Sequence, residues 1–223
     1  MKKLLLGKRI SLLVSDMAGS TINERGIIYR SIHKVMDQLG FPATKQEIKT
    51  WHGRDKSEVM REHLGNDQYL LQRAEKMLIN DLNEEYFISN QISLIDPTLK
   101  AYFLNLRRNG IKIALNTGYP REFQNKIIHH FEMNTYIDTW ISSEMVSYGR
   151  PYPFMIHKLM EECCIADVRE VGKVGDTAND MKEGKNAGCG LVVGVLSGAA
   201  SKEELLQSGA DIVLDNITQI ELS

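Results

Sequence analysis

Short apolar runs alternate with helical patterns along most of this chain. The runs occupy residues 10–15, 111–117, 139–143, 171–176, 190–196 and 211–214. A short apolar run bounded by glycine or polar residues is typical of a strand buried on both faces, and helices between such strands are typical of crossover connections. We therefore predict an α/β fold, a doubly wound parallel sheet with helices on both faces.

Capping residues mark several predicted helix ends. Asp96-Pro97 has the pattern of an N-cap followed by proline at the first helical position, and we predict a helix from there to Gly110. Ser201 and Glu204 have the spacing of a capping box, which predicts a further helix start.

The interval from about residue 22 to 93 contains helical patterns and no convincing strand. The signals are the spacing of Ile32, Val35, Met36 and Leu39 before Gly40, the capping box of Thr44 and Glu47, and the stretches 56–64 and 68–87. We predict a core of residues 1–21 and 94–223, with residues 22–93 as a helical cap inserted after the first strand, here called the helical insert. Such an insert would cover the carboxyl ends of the strands, where open α/β sheets bind ligands.

Composition excludes several classes of partner. The 223 residues are 43% hydrophobic and carry a net charge of -2, which favours neither nucleic-acid binding nor an acidic solvating tail. Three cysteines without CxxC spacing favour neither a disulfide framework nor a zinc site, so we expect a reduced, cytoplasmic protein. The opening apolar run, Leu4–Leu6, is too short for a signal peptide, and no stretch is long enough to span a membrane.

Chemically versatile side chains stand where the predicted strands end. They are Asp16, Thr117 with Gly118, Arg150 in the segment after the third strand, and Asp176 with Asp180. Together they supply a carboxylate nucleophile, a hydroxyl donor, a cation and an acidic pair. A site that binds a phosphoryl group and Mg²⁺ needs this set, because hard cations prefer oxygen ligands and phosphoryl oxygens need donors.

These motifs, in this order, resemble the haloacid dehalogenase superfamily of aspartyl-phosphate hydrolases. The stretches that carry the resemblance are "DMAGST" (16–21), "NTG" (116–118), "GRPYP" (149–153) and "GDTAND" (175–180). The resemblance implies that Asp16 is the nucleophile that forms a phospho-aspartate. It also implies that Ser20, Thr117 and the Gly118 N–H bind the phosphoryl group.

The same resemblance implies a magnesium site and a cation for the phosphoryl oxygens. Asp16, the Ala18 carbonyl and Asp176 would bind Mg²⁺, and Asp180 would be a further ligand, a water-bridged ligand or an anchor behind the site. Arg150 stands where most members carry lysine. An alternative is that Lys173 supplies the cation while Arg150 pairs with a surface acid.

Ala18 departs from the usual pattern of the superfamily. Phosphatases of this group usually carry an aspartate two residues after the nucleophile, which protonates the departing alkoxide. Loss of a positioned general acid typically costs about 10²- to 10⁴-fold in rate. An ordinary sugar phosphatase would therefore be poorly served by this loop.

The combination of "DMAGST", "TGYPR" (117–121) and "GRPYPFM" (149–155) most resembles the phosphonoacetaldehyde hydrolase, or phosphonatase, family. In that family a cap lysine forms an imine with the substrate aldehyde, so the leaving carbon departs as an enamine and needs no acid. "WHGRDKSEVMR" (51–61) places Lys56 at the imine-forming position. Such a lysine needs a lowered pKa, from burial or from a cation such as Arg54. The alternative is a solvated Lys56 beside Asp55 and Glu58.

The resemblance leaves the substrate open. Tyr119 and His52 are candidates for the substrate pocket, but His52 and Val59 differ from the family's substrate-contacting residues. We expect an Mg²⁺-dependent hydrolase of a small phosphonate or phosphorylated metabolite. The alternatives are a phosphomonoesterase of the phosphoglycolate phosphatase type and a non-catalytic phosphoacceptor module. A homodimer through the helical inserts, with Trp51 in the contact, is possible.

Overall fold

The computed structural model describes residues 4–6 and 9–222. In these residues the strands are β1 Leu4–Leu6, β2 Leu12–Asp16, β3 Ile22–Asn23, β4 Ser93–Leu94, β5 Lys112–Thr117, β6 Thr139–Ser142, β7 Val171–Gly175, β8 Leu191–Val195, β9 Ile212–Leu214 and β10 Ile220–Leu222. The α-helices are α1 Ile27–Leu39, α2 Lys45–Thr50, α3 Lys56–Leu64, α4 Gln68–Asn83, α5 Leu99–Arg108, α6 Arg121–His130, α7 Phe154–Cys163, α8 Ala178–Ala187 and α9 Lys202–Gln207.

A parallel six-stranded sheet in the order β6-β5-β2-β7-β8-β9 forms the centre of the fold. Each of the six predicted runs overlaps one of these strands, and all five residues of β2, β7 and β8 are buried. Helices flank the sheet, so the predicted α/β class is confirmed. β1 and β10 form a separate parallel pair.

The central position of β2 determines where the site lies. Its neighbours are β5 and β7, and the register sets Asp16 opposite Asn116 of β5. Because the carboxyl ends of parallel strands lie at one edge of a sheet, the ends of all three strands meet there.

The helices of the helical insert follow the predicted patterns. α1 ends at Leu39, and the cap residue Gly40 has the left-handed φ of 84° that favours glycine after a helix. The capping box at the start of α2 is present: the Glu47 N–H donates to Thr44 Oγ1, and the Thr44 N–H donates to the Glu47 carboxylate. The last predicted stretch forms α4 and continues as a π-helical turn at Glu84–Ile88.

The helical insert is not free of strands, so that expectation was wrong. β3 and β4 pair antiparallel at the two points where the chain leaves and re-enters the sheet region. Each strand is two residues long, too short to show an alternating pattern, and the pairing joins residues about 70 positions apart. The predicted division at residues 22 and 93 coincides with this ladder and stays a prediction.

The start of α5 also differs from the prediction. The helix begins at Leu99, and Thr98 is its N-cap. The Asp96 carboxylate instead accepts the Thr98 N–H at 2.7 Å, within a turn that precedes the helix. An Asp side chain can cap a helix or accept a hydrogen bond from the backbone N–H two residues further on in a turn. The sequence pattern alone does not distinguish these two alternatives. The capping box at Ser201 is present at the start of α9.

Two further expectations concern surfaces. Trp51 is 4% exposed and packs edge-on against His63, so it is not available for a contact between two molecules in this conformation. Within residues 4–6 and 9–222, no helix combines the length and the apolar character that crossing a bilayer requires.

Packing within the helical insert gives a first testable prediction. Leu78 of α4 is 1% exposed and α4 packs against α1. Leu78→Ala should lower the free energy of unfolding by about 2–5 kcal/mol, because it leaves a cavity. For a chain of this size the melting temperature should fall by roughly 4–20 °C. Gln72→Ala, at an exposed position of the same helix, is the control. An unchanged melting temperature for Leu78→Ala would contradict this packing.

Candidate active site

A cavity of about 390 Å³ lies between the carboxyl edge of the sheet and the helical insert. The predicted site residues that line it are Asp16, Ala18, His52, Lys56, Thr117, Gly118, Tyr119, Arg150 and Asp176. Two others lie behind this wall. Ser20 Oγ is 3.4 Å from Asp176 Oδ1, and Asp180 is fully buried. The fold thus brings the predicted residues to one place, while their individual roles stay predictions.

Asp16 ends the central strand and points at a buried guanidinium. Arg150 Nη1 lies 2.7 Å from Asp16 Oδ1, and both side chains are almost fully buried. Burial raises the pKa of Asp16 to about 6, and the charge of Arg150 limits that rise. At neutral pH the carboxylate is therefore mainly ionised and is held in place by its cation.

Arg150 and Lys173 share a buried network of acids. Arg150 Nε lies 3.0 Å from Glu183 Oε2, and Lys173 Nζ lies 2.9 Å from the same oxygen. Both cations also contact Asp180 Oδ1, at 3.2 Å and 2.9 Å. The alternative in which Arg150 pairs with a surface acid is wrong, because all these partners are buried. Of these two cations, Arg150 lines the cavity, whereas Lys173 is fully buried.

Asn116 ties this network to the strand next to Asp16. Its side-chain amide donates to both oxygens of Glu183, at 3.0 Å and 2.9 Å. Its Oδ1 accepts hydrogen bonds from Arg150 at 2.7 Å and from Lys173 at 2.8 Å. Every strong donor here has an acceptor, as buried charges require.

Asp16, Asp176 and Asp180 form an acidic cluster. Each offers one carboxylate oxygen, and these oxygens lie within 4.8 Å of one another. Burial, followed by the charges of Asp16 and Asp180, raises the pKa of Asp176 well above its usual value. Burial alone would raise the pKa of Asp180 too, but Arg150 and Lys173 outweigh it and lower that pKa.

This donor set fits a hard divalent cation. Carboxylate oxygens are its preferred ligands, and a cation would relieve the repulsion that Asp176 experiences. Asp180 is already engaged by Lys173 and Arg150 at one oxygen and by Thr177 at the other. Asp180 therefore fits the predicted role of an anchor better than that of a direct ligand.

Glycine backbone closes tightly around Asp176. Gly19 has a φ of 83°, and a Cβ there would lie 2.5 Å from Asp176 Oδ2. A Cβ on Gly198 would lie 1.9 Å from the same oxygen. The Ala199 N–H donates to this oxygen at 2.8 Å. Only glycine at both positions leaves room for the carboxylate in this place.

Lys56 is buried at the first turn of α3, with 5% of its surface exposed. Its Nζ donates to the Arg54 carbonyl at 2.9 Å and lies 3.4 Å from the Tyr29 hydroxyl. Burial lowers the pKa of Lys56 to about 8, against the opposing charge of Asp16. The interpretation of Lys56 as a solvated residue is therefore wrong.

Arg54 is not the cation that lowers the pKa of Lys56, contrary to expectation. Its guanidinium turns away from the cavity and forms hydrogen bonds with Glu62, at 2.9 Å for the Nη1 contact. Only its backbone carbonyl contacts Lys56. Burial, and among cations Arg150, lower the pKa of Lys56 instead.

Backbone contacts dock the helical insert onto the sheet edge. A Cβ on Gly118 would lie 2.4 Å from the Arg54 carbonyl oxygen, so these two segments of the chain meet where only glycine fits. Asn179 Nδ2 donates to the His52 carbonyl at 2.7 Å, and Ser143 donates to the Asp55 carboxylate. The insert therefore covers the cavity in this conformation.

Glu24 and Tyr29 are among the residues of the cavity wall that sequence reasoning missed. Glu24 accepts the N–H groups of Gly26 and Ile28, both at 2.9 Å, and is thereby held as a cap at the start of α1. Tyr29 lies one turn further on. The available signal was the position of both residues just after residue 22, the predicted start of the helical insert. A segment that enters an insert there passes over the carboxyl edge of the sheet.

Ala18 supplies no carboxyl group two residues after Asp16, the predicted nucleophile. Among the described residues that line the cavity, the carboxylates are Asp16, Asp176 and Glu24. Asp176 belongs to the acidic cluster, and Glu24 is held by backbone N–H groups. The cavity thus combines Asp16, the predicted nucleophile, with alanine two residues further on and a buried amine from Lys56.

The opposite pKa directions of Asp176 and Asp180 predict opposite effects on stability. A carboxyl whose pKa is higher in the folded state costs stability when ionised, whereas one whose pKa is lower contributes stability above its unfolded pKa. With a chelator at pH 7, Asp176→Asn should raise the melting temperature by a few degrees. Asp180→Asn should lower the free energy of unfolding by about 3–5 kcal/mol, because it removes one of the carboxylates that the two buried cations share. Shifts of the same sign would contradict this assignment.

Comparison with known proteins agrees with this geometry. Residues 13–194 match the haloacid dehalogenase-like hydrolase family. A phosphonoacetaldehyde hydrolase from Bacillus cereus is 30% identical, over 86% of this chain and 78% of the relative. The bifunctional phosphonoacetaldehyde hydrolase/aminoethylphosphonate transaminase of Clostridioides difficile is 28% identical over 99% of this chain. The chain spans 40% of the length of that bifunctional relative.

A solved structure shows the same fold. The phosphonoacetaldehyde hydrolase-like protein from Oleispira antarctica superposes with a TM-score of 0.79 at 24% identity, over 98% of this chain and 92% of that protein. The family match covers most of the chain and includes the strand ends that form the cavity. This chain therefore belongs to the haloacid dehalogenase-like hydrolases, and the two relatives compared above are named as phosphonoacetaldehyde hydrolases.

Proposed function

We propose that this hydrolase cleaves the carbon–phosphorus bond of a small phosphonate that carries an aldehyde, with phosphonoacetaldehyde as the model substrate. One observation carries the proposal: a buried lysine of lowered pKa lines the same cavity as a nucleophile that has alanine in place of an acid. The names of the curated relatives support the choice of substrate.

The first step is attack of the neutral Lys56 amine on the substrate aldehyde. Loss of water from the resulting carbinolamine gives an iminium ion. With a pKa of about 8, roughly a tenth of Lys56 is neutral at pH 7, far more than of a solvated lysine. Burial thus supplies the amine that imine formation requires.

The second step is attack of the Asp16 carboxylate on phosphorus. A bond forms between Asp16 and phosphorus, the carbon–phosphorus bond breaks, and its electron pair moves into the iminium to give an enamine. The leaving carbon needs no proton at that moment, so Ala18 is compatible with rapid cleavage. An ordinary ester would instead leave as an alkoxide and would lack its acid.

Donors around Asp16 receive the charge of the phosphoryl oxygens. Arg150 holds one Asp16 oxygen at 2.7 Å and reaches the cavity, and Thr117 and the Gly118 N–H line the same wall. Preorganised donors of this kind stabilise a transition state without reorganising. Ser20 acts from behind, through Asp176. Tyr119 and His52 bound the organic end of the cavity.

Mg²⁺ would be held by Asp16, Asp176 and the Ala18 carbonyl, with Asp180 behind them. When bound, it would neutralise part of the phosphoryl charge. Water then hydrolyses the phospho-aspartate and releases phosphate. The enamine takes a proton on carbon, and hydrolysis of the iminium returns the aldehyde product and Lys56.

Steady-state kinetics of Lys56→Ala test the proposal. The variant should lose at least about 100-fold in kcat/KM for phosphonoacetaldehyde, or ~2.7 kcal/mol of barrier, because the leaving carbon is no longer activated. Hydrolysis of 4-nitrophenyl phosphate needs no imine and should fall far less. Lys76→Ala, an exposed lysine on α4, is the matched control.

Two outcomes would contradict the proposal. Equal losses for both substrates would mean that Lys56 acts on the phosphoryl group or on the fold. If Lys56→Ala retained full activity on phosphonoacetaldehyde, or if wild type turned over only esters with good leaving groups, the protein would be a phosphomonoesterase.

The pKa of Lys56 also predicts a pH dependence. Raising the pH deprotonates the ammonium group, so kcat/KM for phosphonoacetaldehyde should rise by roughly tenfold per pH unit below 8 and level off above it. The profile for 4-nitrophenyl phosphate, measured in parallel, should lack this limb. A flat profile for phosphonoacetaldehyde between pH 6.5 and 8 would contradict a titrating lysine.

A further inference from the structure

The Tyr29 hydroxyl contacts the Lys56 amine, and the steps proposed above give this hydroxyl no role. We propose that Tyr29 is a further catalytic residue. It donates its proton to the carbinolamine oxygen when the imine forms, and it accepts a proton again when the product imine is hydrolysed. This inference rests on the proposed imine function of Lys56.

The position of Tyr29 relative to Lys56 is the first observation. The Tyr29 hydroxyl lies 3.4 Å from Lys56 Nζ, and the centre of its ring lies 5.0 Å from the same nitrogen. An aromatic ring at this distance attracts a cation, so it also stabilises the iminium that replaces the amine. The hydroxyl oxygen of a carbinolamine is bonded to the carbon that is attached to Nζ, and so forms within reach of the phenol.

Tyr29 is held in this orientation from two sides. The Gly53 N–H donates to the Tyr29 hydroxyl at 3.0 Å, and the His52 ring packs on the Tyr29 ring with 4.0 Å between centres. Gly53 itself cannot be replaced without displacement: it has a φ of 74°, and a Cβ there would lie 2.2 Å from Thr177 Oγ1. Thr177 at the sheet edge thus limits the position of Gly53, and the Gly53 N–H orients the Tyr29 hydroxyl.

The hydrogen bond from Gly53 determines what the phenol can do. It occupies one lone pair of the Tyr29 oxygen. An ammonium form of Lys56 donates to the remaining lone pair. A neutral Lys56 instead has a lone pair of its own, and the Tyr29 proton can be donated to it. Tyr29 therefore serves both protonation states of the lysine without moving.

The proposed step balances in protons and electrons. The C–O bond of the carbinolamine breaks, the Tyr29 proton moves to the departing oxygen to give water, and the nitrogen lone pair forms the C=N bond. The site then holds an iminium cation beside a tyrosinate. At the end, water adds to the product iminium, its proton returns to Tyr29, and collapse of the carbinolamine releases the aldehyde.

The acid strength of Tyr29 changes in the required direction during this step. Before the reaction, burial raises the pKa of Tyr29 well above its usual value, so the resting residue keeps its proton. The iminium adds a positive charge next to the ring, and an adjacent cation favours the phenolate. Tyr29 thus keeps its proton until the positive charge of the iminium develops beside it.

The neighbours of Lys56 are less suited to this transfer. The Arg54 carbonyl, the other hydrogen-bond partner of Nζ, accepts a hydrogen bond and has no proton to donate. Val59, one turn along α3, is fully buried and apolar. The Tyr119 hydroxyl is 2.6 Å from the Tyr86 hydroxyl and is engaged there.

Rapid-quench trapping with borohydride tests the role of Tyr29. Tyr29→Phe keeps the ring and removes only the hydroxyl. Adduct formation with phosphonoacetaldehyde should slow by about 10²-fold, the lower end of the range for a proton-transfer group. The loss should exceed the loss in 4-nitrophenyl phosphate hydrolysis by at least tenfold. Tyr69→Phe, at an exposed position on α4, should trap at the wild-type rate.

A second measurement separates proton transfer from a structural effect. Added buffer acids should accelerate adduct formation in Tyr29→Phe in proportion to their concentration, and should have little effect on wild type, whose acid is built in. Adduct formation in Tyr29→Phe at the wild-type rate would overturn the role of Tyr29 and leave the imine function standing. Absence of an adduct in wild type would overturn the proposed function and this inference with it.

Discussion

The buried pairing of Arg150 and Lys173 with acids at the carboxyl edge of the sheet is the interaction on which the site depends. The buried carboxylates of Asp16, Asp180 and Glu183 pair with these two cations, and the buried carboxylate of Asp176 clusters with Asp16 and Asp180. When all are ionised, two negative charges are left over, which one divalent cation would balance. The network therefore holds Asp16, the proposed nucleophile, in place and leaves an acidic cluster that fits a divalent cation.

The sequence revealed the parts of this site that depend on strand order. Asp16, Thr117 and Asp176 could be placed together because parallel strands end at the same edge, and the capping boxes at Thr44 and Ser201 are local patterns. The sharing of acids between Arg150 and Lys173 could not be read in this way. It depends on which side chains face each other across the sheet, which no local pattern records.

The helical insert shows the same division between local and non-local information. Its helices followed from apolar spacing and caps, whereas the depth of Lys56 depends on how α3 docks onto the sheet through Gly118 and Arg54. The same docking sets Tyr29 beside the lysine. A short ladder such as β3–β4, which joins the two ends of the insert, leaves no signal in either segment alone.

The proposed function depends on one exchange: the buried amine of Lys56 replaces an acid two residues after Asp16. Peptide mapping by mass spectrometry, after borohydride reduction in the presence of phosphonoacetaldehyde, tests it most directly. The account predicts one stable adduct, located on the peptide that contains Lys56. An adduct confined to other lysines, or none at all while carbon–phosphorus cleavage proceeds, would contradict it.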